Sequence, residues 1–145
     1  MTEAQGNLWN FVGVPAITTN GYINKNGLAV MGRGCAKEAV TMYPGIQEKL
    51  AFYLSIYGNH VFYLSQLGEK GIITFPVKHL WNEKADLELI RRSADELIRS
   101  VIPYFKIKDT IYLARPGVGN GRLNWDDVKP IISNILTNQV CVVTF

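Results

Sequence analysis

Apolar positions along the chain fall into short runs separated by polar turns, and most of these runs are too continuous to be alternating. Runs of strand length occupy Pro15 to Thr19, Val61 to Leu67, Ile72 to Val77, Thr110 to Arg115 and Gln139 to Phe145, with Asn7 to Phe11 as a candidate sixth. Near-continuous apolarity in a strand implies burial on both faces. Between the runs lie helical spacings. Leu87, Ile90, Ala94, Leu97, Ile98 and Val101 recur at three- and four-residue intervals, predicting a helix that opens at Asp86 and stops before Pro103. Arg91, Arg92, Asp95, Glu96 and Arg99 then make its solvated face. A second stripe, Ile46, Leu50, Tyr53, Leu54 and Tyr57, follows Pro44-Gly45, a third helix is predicted over residues 34 to 43, and a fourth over 127 to 136. Pro130 suits only the first turn of that last helix, so residues 124 to 127 are expected to form a tight cap turn before it.

Strands alternating with helices predict an α/β architecture with helices on both faces of one sheet. Gly68-Glu69-Lys70-Gly71 is too short for a crossover, so its two flanking strands must pair antiparallel and the sheet must be mixed. The chain shows no repeat and no linker, and its 145 residues are expected to form one domain.

Composition narrows the class. No apolar run approaches the ~18 residues of a membrane span, and the start of the chain has neither a basic cluster nor an apolar leader, so a cytoplasmic protein away from membranes is expected. Two cysteines permit at most one disulfide, which fits a reducing compartment, and with two scattered histidines they offer no metal-ligand spacing. A net charge of +3 favours anionic partners without the footprint of a dedicated nucleic-acid binder.

Candidate chemistry sits where α/β proteins collect ligands, outside the carboxyl ends of the strands. Three segments fall there: Thr19-Asn20-Gly21 through Met31-Gly32-Arg33-Gly34-Cys35, then Phe75-Pro76-Val77-Lys78-His79-Leu80-Trp81, then Arg115 to Arg122. Two glycine-rich loops that lead into helices can turn backbone N–H groups toward one point, and a helix N-terminus behind them adds positive potential. Either loop alone is equally compatible with plain tight turns; two on one rim point to a diphosphate. Neither loop ends in the Gly-Lys-Ser/Thr of a P-loop, and the glycines of Gly117-Val118-Gly119-Asn120-Gly121 are misplaced for a dinucleotide fingerprint, which disfavours a dehydrogenase.

Taken in order, Thr19-Asn20-Gly21, Val30 to Ala36, Phe75 to Trp81 and Pro116 to Trp125 resemble the macrodomains, and within them the branch that includes the terminal ADP-ribose glycohydrolase and bacterial antitoxins reversing ADP-ribosylation of DNA. The resemblance spans nearly the whole chain. It implies a three-layer α/β/α fold around a mixed, mostly parallel six-strand sheet, with ADP-ribose as ligand or product and no cofactor. The implied activity is hydrolytic removal of ADP-ribosyl groups from a protein, a nucleic acid or a small conjugate by a monomer. A non-catalytic ADP-ribose reader and an ADP-ribose 1''-phosphate phosphatase are the alternatives.

The resemblance also assigns positions. Gly6-Asn7-Leu8 matches an adenine-binding turn that carries an acid in the family where this chain has Asn7, whose amide oxygen can still accept a hydrogen bond. Asn20 matches the asparagine that faces and positions the distal ribose, and Gly21 beside it is counted among the ligand-binding residues. Met31, Gly32, Arg33, Gly34 and Cys35 match the first diphosphate loop, and Gly117, Val118, Gly119, Asn120, Gly121 and Arg122 the second. Phe145 matches an adenine-stacking position and reads equally well as a core aromatic. Lys78 matches a nucleophile that attacks the anomeric carbon of the distal ribose; as an isolated residue it reads as a surface lysine at a strand end. An attacking amine must be neutral, so Lys78 requires burial or nearby cations such as Arg33, Arg122 or a protonated His79. The glycohydrolase resolves its intermediate with an aspartate where this chain has Gly121; the antitoxin-like members share Gly-Asn-Gly there.

Overall fold

A computed structural model describes residues Met1–Phe145. Its six strands are β1 (Thr2–Gln5), β2 (Val14–Asn20), β3 (Phe62–Leu64), β4 (Ile72–Lys78), β5 (Ile111–Ala114) and β6 (Val140–Thr144). They form one sheet in the order β1-β6-β5-β2-β4-β3. Every neighbouring pair is parallel except β3 with β4, the pair that the short glycine-bounded turn forces into a hairpin.

Helices α1 (Gly34–Met42) and α2 (Ile46–Tyr57) cover one face, and α3 (Leu87–Glu96) and α5 (Trp125–Ser133) cover the other, with a short α4 (Ile102–Phe105) continuing beyond α3. The continuous apolarity of the central strands divides between two cores. Val14, Ala16, Ile73, Phe75 and Val77 pack with Ile90, Ala94, Val128 and Ile132. Ile17 and Ile72 face the opposite side and pack with Cys35, Ala39, Ile46 and Leu50. This is the expected three-layer arrangement. No helix is long and apolar enough to cross a membrane.

The fold departs from the sequence pattern in four places. Residues 7 to 11 form no strand: Asn7 caps a 3-10 turn over Leu8–Asn10 by accepting a hydrogen bond from the Trp9 N–H. The extra strand is β1, whose mostly exposed Thr2-Glu3-Ala4-Gln5 carries no apolar signal because it lies at the sheet edge. The helix that begins at Leu87 does not stop before Pro103. A π-helical turn over Leu97–Val101, in which the Ile102 N–H reaches back to Leu97, widens the helix and places Pro103 at the start of α4, where a missing N–H is tolerated. Finally, α5 starts at Trp125, so Pro130 sits inside it and residues 125 to 127 are regular helix.

The site is positioned by the connections of two adjacent strands. β2 and β5 pair in parallel, yet β2 leads to α1 on one face and β5 to α5 on the other. Loops that diverge in this way open a crevice at the carboxyl ends of the strands.

Candidate functional site

A register shift shapes the centre of the crevice. Thr19 pairs with Pro76, but the next pair is Asn20 with Lys78, so Val77 is an extra residue on β4. Such a bulge re-aims side chains that regular alternation would send to opposite faces. Val77 and Lys78, although consecutive, both line the same cavity, and Lys78 stands opposite Asn20. Pro76 is tolerated because β3 begins only at Phe62, opposite Thr74, and has no ladder bonds with β4 beyond that point.

Asn20 uses both ends of its amide on backbone. Its Nδ2 donates to the Val30 carbonyl at 3.0 Å, and its Oδ1 accepts from the Tyr22 N–H at 2.9 Å. These bonds fasten both ends of the segment between β2 and α1, so that Met31 to Gly34 arrive at the crevice in a fixed position. The second loop, after β5, curls into a 3-10 turn over Gly119–Gly121. The loops meet: a Cβ added to Gly34 would lie 3.1 Å from the Asn120 amide nitrogen.

The glycines of the second loop serve different ends. A Cβ on Gly117 would lie 2.7 Å from Ile90, and one on Gly121 would lie 2.9 Å from the Ala85 side chain, so both let the loop pack tightly on its neighbours. Gly119 differs. Its φ of +78° is in the left-handed region and the space around it is open, so its backbone is accessible from the cavity. Gly32 is likewise uncrowded.

Together these segments enclose a cavity of about 680 Å³. Asn20, Met31, Gly32, Arg33, Gly34, Cys35, Lys78, Gly117, Val118, Gly119, Asn120, Gly121 and Phe145 line it. Four of the sequence-selected residues lie outside that lining. Asn7 is exposed and caps its turn, and Leu8 is core. Gly21 lies behind the strand end, where a Cβ would meet Asn59. Arg122 flanks the mouth, its guanidinium 3.5 Å from the Asn82 carbonyl. Phe145 is 69% exposed and so is not a core aromatic.

To the residues assigned a ligand contact from the sequence the structure adds further lining residues, three of which, Thr19, Trp81 and Arg115, lie within the motif segments. Thr18, Thr19, Trp81, Arg115 and Thr144 also line the cavity. Trp81 stands three residues beyond Lys78 and is 48% exposed, a large apolar surface at the mouth. The Arg115 guanidinium lies 4.5 Å from the centre of the Trp125 ring, while its buried Nε has no hydrogen-bond partner. Strand-end position was the available signal for Thr18, Thr19 and Thr144, since the last residues of the central parallel strands face the crevice.

Two titratable groups at the site are displaced in opposite senses. Burial, and then the guanidinium groups of Arg122 and Arg33, hold the Lys78 amine below its ordinary 10.5, with Glu83 pulling the other way. Burial pushes the Cys35 thiol up, and its Sγ lies 3.7 Å from the Thr18 hydroxyl, so Cys35 is a packing residue and not an activated thiolate. The site therefore combines an amine biased toward neutrality, two apposed glycine loops, and cations along one rim.

No family model matches the chain. The DNA ADP-ribosyl glycohydrolase of Mycobacterium tuberculosis is 34% identical over 110 residues, 72% of this chain and 31% of that relative. The chain thus spans about a third of the length of the curated relatives it matches. The macrodomain of Mycobacterium tuberculosis DarG superposes with a TM-score of 0.81 at 25% identity, covering 99% of this chain and 97% of that one. Thermosipho africanus DarTG, solved in complex with ADP-ribose, superposes with a TM-score of 0.79 at 16% identity, covering 98% of this chain and 41% of that one. With the two-loop crevice and the mixed six-strand sheet, these likenesses place the chain in the macrodomain family, in the branch of the DarG macrodomains.

Proposed function

We propose that this chain binds ADP-ribose in the crevice and hydrolyses the bond joining ADP-ribose to DNA. The observation that carries the reading is the placement of Lys78. The bulge sets it opposite Asn20 at one part of a cavity whose other walls are two apposed glycine loops, and burial and nearby guanidinium groups bias its amine toward the neutral form. The name of the mycobacterial relative supports DNA as the modified molecule, and the bound ligand of the Thermosipho structure supports ADP-ribose as the group recognised.

In this reading the backbone N–H groups around Gly32 and Gly119 hold the diphosphate, and Arg33 and Arg122 offset its charge. Phe145 and the strand-end residues near it receive the adenine, while Asn20 fixes the loop beside the distal ribose. Lys78 Nζ attacks the anomeric carbon. The bond from that carbon to the DNA breaks as the carbon–nitrogen bond to Lys78 forms, the DNA leaves with the electron pair, and the proton lost from the amine balances its charge. Water then adds to the same carbon as the carbon–nitrogen bond to Lys78 breaks; the water hydroxyl stays on the released ADP-ribose and its proton returns to the amine, which leaves with the electron pair.

The test compares wild type with Lys78→Ala on an ADP-ribosylated single-stranded oligonucleotide, an ADP-ribosylated protein and ADP-ribose 1''-phosphate, with ADP-ribose affinity measured by calorimetry. Wild type is expected to act on the oligonucleotide, and the variant to lose at least about 100-fold in rate while keeping its affinity. Release that survives the substitution overturns the lysine mechanism. Saturable binding with no turnover on any substrate makes the chain a reader, and absence of binding overturns the whole reading.

A further inference from the structure

The strand end that carries Lys78 has no sheet neighbour on one side, because β3 begins only at Phe62, opposite Thr74. Its carbonyl groups find partners elsewhere, each from a different part of the chain. The Pro76 carbonyl accepts from the Ser93 hydroxyl at 2.7 Å, the Val77 carbonyl from the Asp86 N–H at 2.8 Å, and the His79 carbonyl from the Gly21 N–H at 3.0 Å. The Lys78 carbonyl accepts from the side-chain amide of Asn59 at 3.1 Å.

Asn59 is itself held in place. Its carbonyl accepts from the Arg92 guanidinium. Arg92 also approaches the Glu96 carboxylate, which accepts from the Val61 N–H at 3.1 Å and pairs with the His60 ring at 2.6 Å. The Asn59 side chain also fills the space beside Gly21, where an added Cβ would come within 2.7 Å of its Cγ. One residue therefore touches the ends of both β2 and β4, directly beside the Asn20–Lys78 pair, without lining the cavity.

We propose that Asn59 is a positioning residue for Lys78: its amide donor fixes the main chain at the bulge, so that the Lys78 side chain leaves the strand toward the cavity. This rests on the reading of Lys78 as nucleophile. The interaction acts through the backbone and leaves the two glycine loops untouched, so it should govern the reaction rate and not ligand affinity.

Two variants separate donation from packing. Asn59→Asp keeps the shape beside Gly21 but cannot donate to the Lys78 carbonyl, and Asn59→Ala removes both contacts. Both are expected to lose roughly tenfold or more in the single-turnover rate on an ADP-ribosylated oligonucleotide, with ADP-ribose affinity within about twofold of wild type. An unchanged rate in Asn59→Asp, or affinity that falls in step with rate, overturns the proposal. A second readout needs no turnover: the NMR titration of Lys78 carrying ¹³C-methyl groups on its amine. With the brace broken in Asn59→Ala, the amine should spend more time in solvent and titrate closer to 10.5 than in wild type; an identical titration overturns the proposal. Failure of wild type to bind ADP-ribose marks failure of the functional reading instead, and the titration still decides the positioning role.

Discussion

At the scale of single residues, the chemistry turns on the charge of Lys78. Its amine attacks only when neutral, and its proton leaves more readily than in an ordinary lysine because burial and the Arg122 and Arg33 cations disfavour the charged form. The rate should therefore climb with pH and level off above the lowered value. Removing a repelling cation must raise that value, so Arg122→Ala should move the climbing limb to higher pH and lower the rate at neutral pH by about threefold to tenfold. Single-turnover rates across the neutral and alkaline range check this, and a limb that does not move would show that Arg122 does not tune the amine. The same shift has a sign for stability. The unfolded chain binds this proton more tightly than the folded one, so the charged Lys78 costs stability at lower pH and that cost is relieved as pH rises from the lowered value to 10.5. Lys78 was legible in the sequence because Phe75 to Trp81 is a contiguous motif. Asn59 was not, since its partners are 19 and 33 residues away along the chain and only the turn that leads into β3 brings them together.

At the scale of elements, hydrophobic spacing located most of the buried stripes. It missed on Tyr57, which is exposed, and on Glu96, which leaves the solvated face to bind Val61 and His60. It also misjudged how the backbone accommodates proline. Two prolines expected to bound helices lie within helical backbone. Pro103 is accommodated by the π-helical turn before it, but Pro130 has no comparable device. It lies in the second turn of α5, exposed, with no N–H to return to the carbonyl of Asp126. The helix still forms because Val128 and Ile132 are fully buried against the α3 side of the sheet, and tertiary burial outweighs the local penalty. Pro130→Ala restores the missing bond without opening a cavity, at the expense of a looser unfolded chain. The expected result is a gain of about 1–2 kcal/mol, seen as a higher melting temperature with unchanged ligand affinity. A lower melting temperature would mean that the proline fixes the start of α5 in a way its missing hydrogen bond does not reveal. The edge strand β1 escaped the sequence pattern for a related reason. Its stability comes from ladder bonds to β6 and an exposed Glu3–Lys129 pair at 2.7 Å linking it to α5, and neither leaves a trace of apolar periodicity.

At the scale of the molecule, the α/β class and the mixed sheet followed from element order and one short turn, but the strand order did not. Placing β5 beside β2 is what joins loops separated by more than 80 residues, from Gly34 to Gly117, into one cavity. It also gives a location to the small positive excess of the chain. Arg33, Lys78 and Arg115 line the crevice and Arg122 flanks its mouth, so four cations border the space assigned to a diphosphate, with Glu83 opposing them near Lys78. Arg33 and Arg122 are exposed, so their attraction for the ligand is open to ionic screening. Raising sodium chloride from about 0.05 M to about 0.5 M should accordingly weaken ADP-ribose binding by roughly threefold to tenfold, while adenosine, which lacks the diphosphate, should respond much less. Equal salt responses for the two would show that the glycine loops do not hold the charged part of the ligand. A short single-stranded DNA attached to the ADP-ribose extends the same measurement. Each phosphate that meets a cation outside the crevice steepens the salt dependence by a slope of about 0.7, so a slope equal to that of free ADP-ribose would confine recognition to the ADP-ribosyl group.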